Sequence, residues 1–200
     1  MGHVWCPNNS YRRGRLRGLA EMYDLHVLVE TGTNVGGALF ELKGFFDKIY
    51  TIEIVPELTA KAKAYLGPQP HIEYIIGDSG IELGNIMPKI DRPTLFWLDG
   101  HHSGGDTGRC LDGKDTPVMK ELPHILKAPD LGHVIVIDNA ASFGKARDYP
   151  TLDELRRFVF SYRENVNITV EGDGIIIVPQ RRLNDLKMLW QKWNKELANA

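Results

Sequence analysis

Two hundred residues are enough for one α/β domain with a full core, and the chain reads as a single unit over 1–200 with that core at about 20–180. A net charge of −2 with 25% charged residues gives no field that would draw the whole chain to nucleic acid or a membrane surface. Cys6 and Cys110 are too few for a disulfide framework, the longest apolar runs are strand-sized, and no apolar signal core opens the chain, so a reducing, cytoplasmic setting is expected.

The first 19 residues carry Arg12, Arg13, Arg15 and Arg17 and read as a solvated basic arm, with a phosphate or acidic partner as the other reading. An apolar strand over Leu25–Glu30 then runs into Glu30-Thr31-Gly32-Thr33-Asn34-Val35-Gly36, and a helix is predicted over Gly37–Phe46. A second strand, Lys48–Glu53, ends on another acid, 17 residues past Gly36. Strand, glycine turn, helix and acid-tipped strand make a nucleoside-binding half-site. In a dinucleotide fingerprint the middle glycine admits a pyrophosphate, and here that position is Asn34. Glu30, two residues before Gly32, would repel a phosphate and attract a cation. Both features favour S-adenosylmethionine, which has an ammonium and a sulfonium and no phosphate, over NAD. A plain glycine turn is the bland alternative.

Further on, helices are predicted over Pro56–Leu66, Gly80–Met87 and Pro117–Lys127, and strands over Ile72–Gly77, Thr94–Leu98 and Val134–Ile137. Another helix opens near Tyr149. The runs at 168–170 and 175–178 flank Glu171-Gly172-Asp173-Gly174 and read as an antiparallel hairpin. Five parallel strands plus a hairpin make seven, in a doubly wound α/β sheet with helices on both faces. The tail at 181–200 places Leu183, Leu186, Trp190, Trp193 and Leu197 at helical spacing, a stripe to pack on the domain or on a second copy in a homodimer.

Acids recur where parallel strands end: Glu30, Glu53, Asp78, Asp99 and Asp138. Ligands of open α/β sheets bind outside those carboxyl ends. Glu30, Thr31, Gly32, Thr33, Asn34 and Gly36 are expected around the methionine half of the cofactor. Glu53 suits both ribose hydroxyls, and Asp78 the adenine amino group, with Ser79 beside it as a contact or a helix cap. Asp99 leads into His101 and His102 and a glycine-rich loop that continues to about Asp115. Histidine transfers protons near neutral pH, so His101 is a candidate base or metal partner, with Asp99 orienting the acceptor or a metal. Asp99, Asp138 and Asn139 offer hard oxygen ligands to Mg²⁺. The acceptor is expected against Arg147, Tyr149 and the loop Asp106–Asp115.

Glu30-Thr31-Gly32-Thr33 followed by Gly36, Asp99-Gly100-His101 with Ser103-Gly104-Gly105, Asp115-Thr116-Pro117 and Ile137-Asp138 resemble class I S-adenosylmethionine-dependent methyltransferases. The similarity is to the small-molecule O-methyltransferases of the macrocin O-methyltransferase type and covers roughly residues 25–180. It implies a Rossmann-like seven-stranded sheet in the order 3-2-1-4-5-7-6, mostly parallel with an antiparallel last strand. It also implies a methyl donor at the first glycine turn and Glu53, and a divalent metal at Asp99 and the acidic pair closing the fifth strand. The second member of that pair is here Asn139, which lowers the charge on an ion and its expected affinity. The expected activity is methyl transfer to an oxygen of a small polar molecule, such as a sugar, without nucleic acid or membrane as partner. Three rivals stand beside it. An NAD-dependent oxidoreductase is opposed by Asn34 and the terminal hairpin. A non-catalytic or metal-less binding module is favoured by Asn139. A metal-dependent hydrolase or hydroxylase using Asp99, His101 and Asp106 lacks a ligand spacing.

Overall fold

The computed structural model describes residues 7–198, and the side chains of 13–188, 190, 191 and 194. In chain order the elements are α1 (Pro7–Tyr23), β1 (Val27–Thr31), α2 (Gly37–Leu42), β2 (Lys48–Glu53), α3 (Pro56–Leu66), β3 (Ile72–Ile76) and α4 (Ser79–Ile86). They continue with β4 (Thr94–Leu98), α5 (Val118–Lys127), β5 (Val134–Ile137), α6 (Leu152–Tyr162), β6 (Val166–Glu171), β7 (Gly174–Pro179) and α7 (Gln180–Ala198). The seven strands form one sheet in the order β3-β2-β1-β4-β5-β7-β6, with β7 antiparallel to both neighbours. The expected Rossmann-like methyltransferase topology is therefore the observed one.

Burial on both faces explains the unbroken apolar runs of the central strands. Val29, Phe96, Leu98, Ile135 and Ile137 pack under α4, α5 and α6, while Leu28, Ile49, Leu95, Trp97 and Val136 pack under α1, α2 and α3. Register sets the carboxyl ends nearly flush, with Thr31 beside Ile52 and Leu98, Leu98 beside Ile137, and Glu53 beside Ile76. Glu53, Asp78, Asp99 and Asp138 thus lie along one edge. Because β7 runs backwards, the β6–β7 turn returns to that edge, where the Ala140 N–H donates to the Asp173 carbonyl at 2.9 Å.

From Pro7 onward the basic arm is a helix. Leu16, Ala20 and Tyr23 of α1 are buried against the sheet, with Leu19 beside them. Its arginines are engaged: Arg13 pairs with Glu41, Arg15 with Glu171, and the Arg17 guanidinium lies 3.8 Å from the centre of the Phe45 ring. The Arg12 side chain lies outside the described residues. Helix α2 stops at Leu42 rather than Phe46, and a 3₁₀ turn over Lys43–Phe45 carries Gly44, a poor α-helix former. Pro117 is the N-cap of α5, not part of its first turn. In α7, Leu183 and Leu186 pack on the sheet and Trp190 is exposed; the side chains of Trp193 and Leu197 lie outside the described residues. Cys110 is buried and free, and Cys6 lies outside the described residues. Among the described residues no helix is long and apolar enough to cross a membrane.

Candidate active site

A cavity of about 300 Å³ opens at the carboxyl edge beside β1 and β4, where the strand order reverses. Gly32 and Asn34 line its β1 side. Gly32 has φ +84°, and a Cβ there would strike the Asp99 carbonyl, so only glycine lets the ends of β1 and β4 approach this closely. Asn34 takes the left-handed conformation with φ +49°, which asparagine tolerates. Every backbone N–H of the turn has an internal acceptor. Gly32 and Thr33 donate to the Ile52 carbonyl at 2.8 and 3.3 Å, and Gly36 donates to that of Thr33 at 3.0 Å. Asn34 N–H donates to Glu53 Oε2 and Val35 N–H to Asn34 Oδ1, both at 2.8 Å. No donor is left there for a diphosphate.

Glu53 lines the cavity and is buried; its other oxygen accepts the Val55 N–H at 3.0 Å. A carboxylate has about four acceptor positions, so both oxygens keep capacity for ribose hydroxyls. Asp78 and Ser79 also line the cavity. Asp78 caps α4, its Oδ1 accepting the Gly80 N–H at 2.9 Å, and its Oδ2 accepts the Leu111 N–H at 2.8 Å, clasping the loop over the site.

Four residues assigned to the cofactor from sequence do not line the cavity. Glu30 is inside β1, not at a lip, and is 1% exposed. Thr51 Oγ1 donates to its Oε2 at 2.6 Å, and burial pushes its pKa up to about 8, so it is neutral at pH 7 and attracts no cation. Thr31 turns inward, its Oγ1 accepting the N–H groups of Asp99 and Gly100 at 3.1 and 3.2 Å. Thr33 is buried with its hydroxyl 2.6 Å from that of Thr51, and Gly36 packs on Ala62 and Leu66 of α3. The negative wall inferred from Glu30 is instead made by Glu53, Asp78, Asp99 and Asp138. Arg109, a base in the same wall, is paired with Asp115 at 2.6 Å.

Glu121 escaped the sequence reading. It is 1% exposed, Ser79 Oγ donates to it at 2.7 Å, and Thr31 also bonds to it. Burial pushes its pKa up to about 7. The signal was an acid on the buried stripe of α5, among Val118, Leu122 and Ile125. Glu121 and Glu30 tie stability to pH in one direction. The folded chain keeps protons there that the unfolded chain releases above about pH 4.5, so stability is full below that pH and falls as pH rises toward 7 and 8. For Glu30 alone the loss is about 3 kcal/mol at pH 7. Glu30→Gln keeps an acceptor for Thr51 and has no proton to lose. Urea titrations at about pH 5 and about pH 8 should show a shallower decline for this variant; equal declines would contradict the assignment.

The loop between Asp99 and Pro117 covers the cavity. Gly108 packs against Ile54 and Val55 across the crevice, and Lys61 lies 3.7 Å from Asp106. His102 belongs to this loop and not to the cavity wall: its Nδ1 is 2.8 Å from the Thr107 carbonyl. His101 does line the cavity. Its Nδ1 is 3.2 Å from Asp99 Oδ1 and its Nε2 is 2.7 Å from Asn139 Nδ2. Asn139, left-handed with φ 61°, is also bonded to the Tyr149 hydroxyl. Burial pushes that phenol up to about 12, so it stays protonated. Arg147 is exposed and pairs with Asp148 at 3.3 Å, away from the cavity wall.

Mg²⁺ is expected from the sequence at Asp99, Asp138 and Asn139. Asp99 faces the His101 ring, and Asn139 turns its amide nitrogen toward the same ring. Among the described residues no three His, Cys, Asp or Glu side chains are grouped to hold a metal. Asp99, Asp138 and Asn139 do share one cavity, where Asp99 and Asn139 are partners of the His101 imidazole.

No protein-family model matches the sequence, and no curated protein matches it. Solved structures do share its fold. An O-methyltransferase of tomaymycin synthesis from Streptomyces achromogenes, in complex with S-adenosylmethionine, is 20% identical with a TM-score of 0.59, over 84% of this chain and 79% of that one. An O-methyltransferase from Bacillus cereus in complex with S-adenosylhomocysteine is 18% identical with a TM-score of 0.60, over 90% and 84%. An N-methyltransferase from Bradyrhizobium japonicum, also with S-adenosylhomocysteine, is 11% identical with a TM-score of 0.55, over 88% and 87%. The fold is that of class I methyltransferases.

Proposed function

We propose that the chain is an S-adenosylmethionine-dependent methyltransferase acting on a hydroxyl of a small molecule, with His101 as base and without Mg²⁺. The observation that carries the donor assignment is the combination of a glycine turn with no free N–H and a cavity walled by four acidic side chains. That environment excludes a diphosphate and accepts a phosphate-free adenosine compound with positive charge. Bound there, the cofactor supplies an electrophilic methyl group. Glu53 takes the ribose hydroxyls, and Gly32 allows close contact at the β1 turn.

His101 does the proton work. An Nδ1–H donated to Asp99 leaves the Nε2 lone pair facing the cavity, held by the Asn139 amide until an acceptor hydroxyl replaces it. An acceptor hydroxyl there would give its proton to Nε2 as its oxygen took the methyl group, which S-adenosylmethionine would supply with the electron pair of the methyl–sulfur bond left on sulfur. Asp99 holds the tautomer and stabilises the imidazolium. Holding the acceptor oxygen in line with the methyl group supplies up to about 7–11 kcal/mol of the barrier reduction.

Calorimetric titration with S-adenosylmethionine in EDTA tests the donor assignment. The wild-type chain should bind, and Glu53→Gln should bind at least about tenfold more weakly, the loss of a charge-assisted pair of hydrogen bonds. Binding that requires added Mg²⁺, or is unchanged in Glu53→Gln, would contradict it. The conservative change is needed because alanine would strip the acceptor from two backbone N–H groups and destabilise the turn itself.

A further inference from the structure

Glu121 does not line the donor cavity, but Ser79 does, and the Ser79 hydroxyl donates to Glu121 Oε1 at 2.7 Å. The same carboxylate bonds to the Thr31 hydroxyl. Thr31 Oγ1 in turn accepts the N–H groups of Asp99 and Gly100 at 3.1 and 3.2 Å. Gly100 fits between the two hydroxyls, since a Cβ on it would lie 3.1 Å from Thr31 Oγ1 and 3.2 Å from Ser79 Oγ. A hydroxyl has one proton and two lone pairs. Thr31 receives two N–H groups, so its proton is what it has left for Glu121. Ser79 gives its proton to Glu121 and keeps its lone pairs for the cavity.

We propose that Glu121 is a positioning residue for the methyl donor: by holding the Ser79 proton inward it presents Ser79 to the base of the nucleoside as an acceptor, which selects adenine over hypoxanthine. The inference rests on the donor reading of the cavity. Position is its first argument. Asp99 and His101, which the methyl group must approach, follow β4, and Glu53, which takes the ribose, ends β2. The sheet order runs β4, β1, β2, β3, so a nucleoside extended along this edge brings its base to Asp78 and Ser79, just past β3. Hydrogen-bond polarity is the second. The amino group of adenine can donate to Ser79 Oγ, whereas the carbonyl of hypoxanthine sets lone pair against lone pair. Asp78 beside it already accepts the Gly80 and Leu111 N–H groups, one on each oxygen. The third is what an isostere must do. In Glu121→Gln the side-chain amide has one accepting and one donating end. Thr31 Oγ1 already takes two N–H groups, so the donating end goes to Ser79, whose own proton then turns toward the cavity. The polarity of the wall reverses there without a change of shape.

The test is calorimetric titration of the full chain with S-adenosylhomocysteine and with S-inosylhomocysteine, its hypoxanthine analogue. At about pH 8 Glu121, whose pKa is pushed up to about 7, is mostly ionised. The wild-type chain should bind the adenosyl compound about tenfold or more tighter than the inosyl one. Glu121→Gln should narrow that ratio by about fivefold or more, and Ser79→Ala should narrow it as well. In a Ser79→Ala background Glu121→Gln should change the ratio no further, because its effect passes through the Ser79 hydroxyl. A purely structural role for Glu121 would weaken both ligands alike and leave the ratio where it was. If Glu121→Gln does not fold, Ser79→Ala decides. The proposal falls if the wild-type ratio is one or less, if either single variant leaves it unchanged, or if Glu121→Gln narrows it equally with and without Ser79. A wild-type chain that binds neither compound would overturn the donor reading first, and this inference with it.

Discussion

His101→Ala is expected to lower the methyl-transfer rate by about 10²–10⁴-fold, or about 2.7–5.5 kcal/mol of barrier, the usual range for loss of a positioned base. Cofactor affinity should stay within a few-fold of wild type, because His101 is bonded to Asp99 and Asn139 while Glu53 is bonded to the β1 turn at Asn34. The fold should survive, since His101 sits in a loop and contributes to neither apolar cluster. Single-turnover formation of S-adenosylhomocysteine separates these effects from product release. Asn139→Ala should fall between the two, because it releases the ring without removing the base. A His101→Ala chain that turns over at the wild-type rate would mean that the proton leaves by another route and that the imidazole is only part of the loop.

Gly32→Ala is expected to destabilise the chain by about 2–5 kcal/mol and to abolish cofactor binding. A residue with a Cβ pays about 1–2 kcal/mol to hold a left-handed conformation, and the collision with the Asp99 carbonyl adds about 1–3 kcal/mol of overpacking. Relief requires parting β1 from β4, the seam along which the cavity opens, so the structural and functional losses share one cause. Gly104 and Gly105 in the covering loop also have positive φ, but a Cβ at either position meets open space. Alanine there should cost only the backbone strain. A Gly32→Ala chain with wild-type denaturant midpoint and cofactor affinity would show that the turn tolerates a Cβ and is not shaped by the approach to Asp99.

The order of the strands was legible because parallel, doubly buried strands leave unbroken apolar runs, and because the Asp-Gly turn at 172–174 marks a hairpin. β2, β4, β5 and α3 match the sequence reading to the residue. Helix α1 was hidden by its arginines. Its inward stripe, Leu16, Leu19, Ala20 and Tyr23, has helical spacing, but four basic residues in six positions mask it as a solvated arm. At the site, residues at the ends of strands were read correctly as a group, since period and register place Glu53, Asp78, Asp99 and Asp138 on one edge. Which way each side chain turns was not legible. Glu30 lies one residue short of the end of β1, and that single step sends its carboxylate into the interior, where Thr51 satisfies it. Asn139 read as a weakened metal ligand. The structure gives it a partner, His101, which only the folding of two distant loops onto one cavity could bring to it.

The proposition underlying the account is that the turn after β1 accepts a positively charged, phosphate-free adenosine compound. A thermal-unfolding comparison of S-adenosylmethionine with NAD, at equal concentration and in EDTA, tests it most directly. At 100 times its dissociation constant S-adenosylmethionine should add about 2.7 kcal/mol of stability, a rise of roughly 5–10 °C for a chain of this length. NAD should leave the midpoint where it was. A rise with NAD and none with S-adenosylmethionine would contradict the account at its base.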